Sequence, residues 1–180
     1  LVRTKLPGNR EGLLIDPGAH DNLVGNNWVK RMSTLATDHN KYPTFHEMKK
    51  LVVQGVGRSS QSTTTRVKMP IAYTSPGNQK DVPHRGTFEA PVVGNDSEPS
   101  DVPALLGLKS LRRHCALLDM VENCFYLIGP GDYEVQIPPG SQKINLELSP
   151  SGHLLMPCSE FQKWKDSPTL ATPLAVSYTH

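Results

Sequence analysis

A chain of 180 residues has room for one domain with a sizeable core and an appendage, not for two full lobes. Its net charge of +2, with Lys and Arg spread along the sequence, offers nothing for nucleic acid or a membrane surface to recognise. No apolar stretch nears the ~20 residues of a membrane span, and no signal-peptide pattern opens the chain. The cysteines, Cys115, Cys124 and Cys158, are odd in number and form no CxxC pair, which predicts reduced thiols in an intracellular, cytoplasmic setting. The start at Leu1, without an initiator Met, is expected of a piece of a longer polypeptide.

In chain order, Gly12 to Asp16 is an apolar strand bounded by Gly. Trp28, Val29, Met32, Leu35 and Ala36 fall near helical spacing and predict a helix over Asn26 to Thr37. Leu51 to Gln54 and Thr63 to Tyr73 form the arms of a hairpin with a Gly-rich tip, followed by a loop over 74–86. Thr87 to Val93 is a strand and 94–103 an exposed connection. Ala104-Leu105-Leu106-Gly107 leads into a short helix over Leu108 to Arg113. Leu117 to Asp119 and Phe125 to Ile128 flank Glu122-Asn123 as a hairpin. Strands at Tyr133 to Ile137 and Ile144 to Leu148, a segment Gly152 to Pro157 and a short helix near Ser159 to Lys165 complete the pattern. From Asp166 on, Pro, Ser and Thr predict a linker or docked tail. The division is 1–128, 129–165 and 166–180.

The chemistry centres on Asp16-Pro17-Gly18-Ala19. An acid that ends an apolar strand and runs into a tight Gly turn has its carboxylate held at an edge. An ordinary surface turn is the usual meaning of Asp-Pro-Gly, but Leu13-Leu14-Ile15 before it and Ala19 after it argue otherwise. The other candidates are weaker. His39 and His46 lack zinc-ligand spacing, so no metal site is expected. No local signature makes a nucleophile of the cysteines, even with His114 beside Cys115. Ser149-Pro150-Ser151-Gly152 lacks the leading Gly of a nucleophile elbow and is a turn. Asp119 ends a strand like a second acid, but Met120-Val121 follows it, which predicts a structural role. Trp28 and Met32 share a helix face as core contacts.

These segments together resemble the retropepsins, the aspartic proteases of retroviruses and retrotransposons, with wording closest to copia-type polyproteins. Asp16 to Ala19 resembles their Asp-Thr/Ser-Gly-Ala motif. Val53-Gln54-Gly55-Val56-Gly57-Arg58 resembles their flap tip, and Ala104 to Leu111 the apolar-apolar-Gly segment before their C-terminal helix. The likeness covers residues 10–128. It implies a mostly β fold, a retropepsin-like closed β-barrel with one or two short helices, followed here by a β-rich C-terminal extension. It also implies a homodimer, because each chain supplies one catalytic Asp.

The implied activity is endoproteolysis of an extended peptide or polyprotein substrate, without cofactor. Asp16 is the catalytic acid or base, Gly18 permits the turn, and residues 53–58 cover the substrate. Pro17 departs from the family, whose hydroxyl at this position braces the two loops of the dimer. A catalytically silent module for peptide binding or polyprotein assembly is therefore the alternative reading. An unrelated β-barrel binding domain, with Asp16 on an exposed turn, is the third.

Overall fold

The computed structural model describes residues 6–8, 10–54, 60–129, 131–136, 139, 141 and 144–158. Strand accounts for 42% and helix for 14% of the described residues, so the mostly β class holds. The elements are β1 (Leu14–Asp16), β2 (Val24–Gly25), α1 (Asn26–Asp38), β3 (Thr44–Gln54), β4 (Ser60–Ser75) and β5 (Val82–Val93). They continue with β6 (Leu105–Gly107), α2 (Leu108–Arg113), β7 (Ala116–Asp119), β8 (Cys124–Leu127), β9 (Glu147–Leu148) and β10 (Leu154–Leu155). No helix among the described residues is long and apolar enough to cross a membrane.

The body is a four-stranded sheet in the order β2-β5-β4-β3. β4 and β5 pair antiparallel from Arg66 opposite Pro91 to Ser75 opposite Val82. Alternation puts Val67 and Met69 of β4 and Phe88 and Ala90 of β5 on the inner face, all essentially without exposure. Helix α1 covers that face with Trp28, Val29 and the partly buried Met32. Trp28 meets Phe88 edge-on, centroids 5.7 Å apart at 68°, the orientation that ring quadrupoles favour. Each such side chain taken from water stabilises the fold by roughly 1.5–3 kcal/mol.

α1 begins without a side-chain cap at Gly25, and Asn26 supplies the anchoring instead. Its buried amide accepts from Ser100 N (2.8 Å) and donates to Asn95 O (3.0 Å), stitching the helix start to the 94–103 connection. Gly25 is required there, because a Cβ would sit 2.5 Å from Ser100 O. The helix ends where Asn40 turns left-handed (φ 55°), with the N–H groups of His39 and Lys41 returning to Ala36 O. The side chain of Arg31 grips Glu11 through two contacts, at 2.6 and 3.4 Å, and so holds the start of the chain against α1.

The remaining strands form three two-stranded sheets, β1-β6, β7-β8 and β9-β10. No closed barrel is formed among the described residues; β1, β2 and β6 are only two or three residues long and carry no ladder around a ring. The hairpin arms are longer than the sequence predicts. β3 starts at Thr44 rather than Leu51, and β4 and β5 run on to Ser75 and Val82, leaving 76–81 as the loop. Residues 133–136 form no strand, and Ile144 to Leu148 shortens to β9. The predicted helix near Ser159 and the tail from Asp166 lie outside the described residues.

Candidate active site

Asp16 ends β1 for a local reason. Pro17 has no N–H to extend a ladder and biases the residue before it toward an extended conformation. The chain then folds back on the acid. Asp16 Oδ1 accepts from Gly18 N (2.9 Å) and Ala19 N (3.2 Å), and the Asp16 carbonyl accepts from Ala19 N (3.1 Å). One carboxylate oxygen is thus fixed by backbone donors. Among the described residues no cation pairs with this acid and its Oδ2 accepts no hydrogen bond. Asp16 and Ala19 are half-buried, whereas Pro17 and Gly18 are exposed.

What holds the turn comes from ninety residues downstream. β6 lies between two segments of the site: parallel to β1, with Asp16 opposite Gly107, and bridged antiparallel to Leu23 through Leu105. The first residues of α2 then donate into the turn, Leu108 N to Ala19 O (2.8 Å) and Lys109 N to His20 O (3.0 Å). Such an approach is possible only without a side chain at position 107, where a Cβ would collide with the backbone of Asp21 and Ala19. Asn22 completes the frame, donating to Glu89 O of β5 (2.8 Å) and accepting from Gly107 N (2.9 Å). The turn is therefore tied to β6 and to the main sheet at once. An exposed ion pair, Lys109 to Asp21 at 3.5 Å, adds little.

Beside the turn opens a cleft of about 370 Å³, lined by Ile15, Pro17, Leu111, Cys115, Phe125 and Leu154 among others. Its walls are mostly apolar, and Pro17 projects into it from the Asp16 turn.

Of the flap residues, Val53 and Gln54 end β3, paired with Gln61 and Ser60, and Val53 is half-buried. Gly55, Val56, Gly57 and Arg58 lie outside the described residues. Close to the tip the hairpin is tied to the 94–103 connection, where Ser100 Oγ donates to Gln61 Oε1 (3.3 Å).

None of the other candidates makes a hydrogen bond to Asp16. Asp119 Oδ1 accepts from Val121 N (2.9 Å) and Glu122 N (3.1 Å) within the β7-β8 turn, the structural role its sequence predicts. The cysteines are free thiols, with Cys115 half-buried and its backbone left-handed (φ 45°). No group of three His, Cys, Asp or Glu side chains converges among the described residues. Sequence reasoning missed Asn22 and Asn26. The only local signal was an amide-bearing residue flanking Leu23-Val24-Gly25, and their partners lie 67 to 85 positions away.

Comparisons with protein-family models, curated proteins and solved structures found no match to this chain.

Proposed function

We propose that this chain is a retropepsin-like aspartic endopeptidase that works as a homodimer on extended polyprotein segments. The observation that carries the reading is the Asp16 turn: a carboxylate at a strand end, one oxygen held by two backbone N–H groups, braced from beneath by β6 and α2. An acid on an ordinary turn needs no such brace.

The reaction follows from pairing Asp16 with its copy. Two carboxylates ~3 Å apart share one proton, because both cannot ionise together. The ionised member takes a proton from water as the water oxygen bonds to the peptide carbonyl carbon. The protonated member hydrogen-bonds the carbonyl oxygen and stabilises the gem-diol. Collapse breaks the C–N bond as a proton passes to the leaving amine. The Gly18 and Ala19 N–H groups orient the carboxylate. The β3-β4 hairpin offers backbone groups to an extended substrate.

The test is cleavage of a peptide library at high protein concentration between about pH 4 and 7, where a shared-proton dyad works. The natural chain should cleave and Asp16→Asn should not; equal cleavage by both would overturn the reading. The second reading, a silent module that binds extended peptides or assembles polyprotein, is favoured by Pro17, which lacks a hydroxyl to brace a partner loop. It predicts no cleavage by either chain even where sedimentation shows a dimer.

A further inference from the structure

The extension returns to the candidate active site. Hairpin β9-β10 pairs with no other strand among the described residues, and its strand residues are exposed. Its turn is the docked part. A Cβ on Gly152 would strike the ring of His20, four residues from Asp16, so the turn lies close against that exposed imidazole. Leu154 and Tyr133, also from the extension and both still exposed, line the same cleft as Ile15 and Pro17.

The docked turn is rigid in itself. Gly152 N donates to Ser149 O (2.9 Å) and Ser149 N to His153 O (2.9 Å). Ser151 Oγ lies 2.8 Å from both Ser149 Oγ and His153 Nδ1, and His153 N donates to Ser149 Oγ (3.1 Å). A preformed tip loses little conformational freedom on docking. Among the described residues its attachment has no ladder hydrogen bonds, so it can also leave without disturbing the sheet.

We propose that hairpin β9-β10 is a built-in strap that restrains dimerisation by docking on the Asp16 turn. This rests on the homodimer reading, in which a second copy's loop must approach Asp16 beside Pro17 and His20, the residues against which the strap lies. Docked strap and docked partner then compete for one face. If both copies must be undocked, the apparent dissociation constant scales with the inverse square of the undocked fraction. Docking in about two-thirds of chains weakens the dimer roughly tenfold. Release of the strap, by cleavage or by a ligand for the hairpin, would turn the enzyme on.

The test uses the full chain with either Gly152→Leu, which pushes the turn off His20, or Leu154→Asp, which places a charge in the apolar cleft. The two variants perturb the hairpin differently, so a folding defect in one does not decide the outcome. Sedimentation should show a tighter dimer by about tenfold in both, with cleavage per chain rising in step at concentrations below the dissociation constant. The shift should persist on an Asp16→Asn background, where the protease reading expects cleavage to be lost. Unchanged or weaker dimerisation in both variants overturns the strap and leaves the protease reading standing. Cleavage retained by Asp16→Asn overturns the protease reading alone, and no dimer in any chain overturns both.

Discussion

Two aspartates in this chain make nearly the same turn. Asp16 Oδ1 binds the N–H groups two and three residues on at 2.9 and 3.2 Å, and Asp119 Oδ1 does the same at 2.9 and 3.1 Å. Each ends a short strand. Their surroundings differ completely. Asp16's turn receives two N–H groups from α2, lies against Gly107 and is tied by Asn22 to the main sheet. The turn after Asp119 stands in solvent, with Met120 81% and Val121 86% exposed. An aspartate that caps its own turn is common local chemistry. A distant segment that closes over the turn is what separates a candidate catalytic acid from a structural one.

The largest expected effect breaks the comparison at the chemistry. Removing one general acid–base group costs about 10²–10⁴ in rate. Asp16→Asn should lose cleavage by at least that factor, whereas Asp119→Asn should stay within about twofold of the natural chain. Equal losses would mean that the brace around Asp16 has no catalytic meaning.

Next comes the brace itself. In Gly107→Ala the methyl group meets backbone that cannot step aside, an overpacking cost of roughly 1–3 kcal/mol. Asn22→Ala leaves Gly107 N–H and Glu89 C=O without their partner, again roughly 1–3 kcal/mol. Thermal unfolding should show both as a lower Tm, with Asp119→Ala, whose two freed N–H groups turn to water, much closer to the natural chain. If the order reverses, the β7-β8 turn carries more of the fold than its exposure suggests.

The readable parts of the sequence were those whose cause is local. Trp28, Val29, Met32 and Ala36 mark α1 by spacing alone, and the strand before Asp16 and helix α2 follow from apolar runs bounded by Gly. The front of β3 was missed because His46, Glu47, Lys49 and Lys50 are all exposed, so an edge strand there shows no alternation. The β4-β5 arms were cut short because Pro76, Gly77, Pro83 and the charges between them read as loop; pairing of Thr74 with Pro83 and Ser75 with Val82 carries the ladder through part of it. Tyr133 to Ile137 alternates like a strand, yet 133–136 finds no ladder partner among the described residues. The site was legible as an acid on a turn. Its frame was not, because Asn22 acts through partners far along the chain.

A smaller effect sharpens the comparison at Pro17. The Asp16 turn differs from the Asp119 turn in facing a proposed partner, and proline gives that partner no hydroxyl. Pro17→Thr restores a donor and acceptor on each copy, at about 1 kcal/mol per bond formed. A dimer tighter by about tenfold is expected, measured by sedimentation, with Met120→Thr as the matched change on the other turn and no shift. An unchanged Pro17→Thr dimer would show that proline already suits the interface.

The smallest effect belongs to a third carboxylate, held by charge in open solvent instead of by backbone. Lys30 Nζ lies 2.7 Å from Asp96 Oδ1, and the Asp96 side chain is 89% exposed. The Lys30 hydrogen bond, and then its charge, hold the Asp96 carboxyl below its ordinary value. The unfolded chain therefore binds the proton more readily than the folded one. Any stabilisation is present above the ordinary carboxylate range near pH ~4 and is lost as pH falls through the lowered folded value. Water and salt screen so exposed a pair, so Asp96→Asn should leave Tm at pH 7 unchanged within error at 0.15 M salt. A clear destabilisation that survives high salt would mean that Lys30 and Asp96 hold α1 to the 94–103 connection, a task otherwise assigned to Asn26. Of the three acids, it is the shortest contact that should matter least, because what fixes an acid's worth is the structure packed around it.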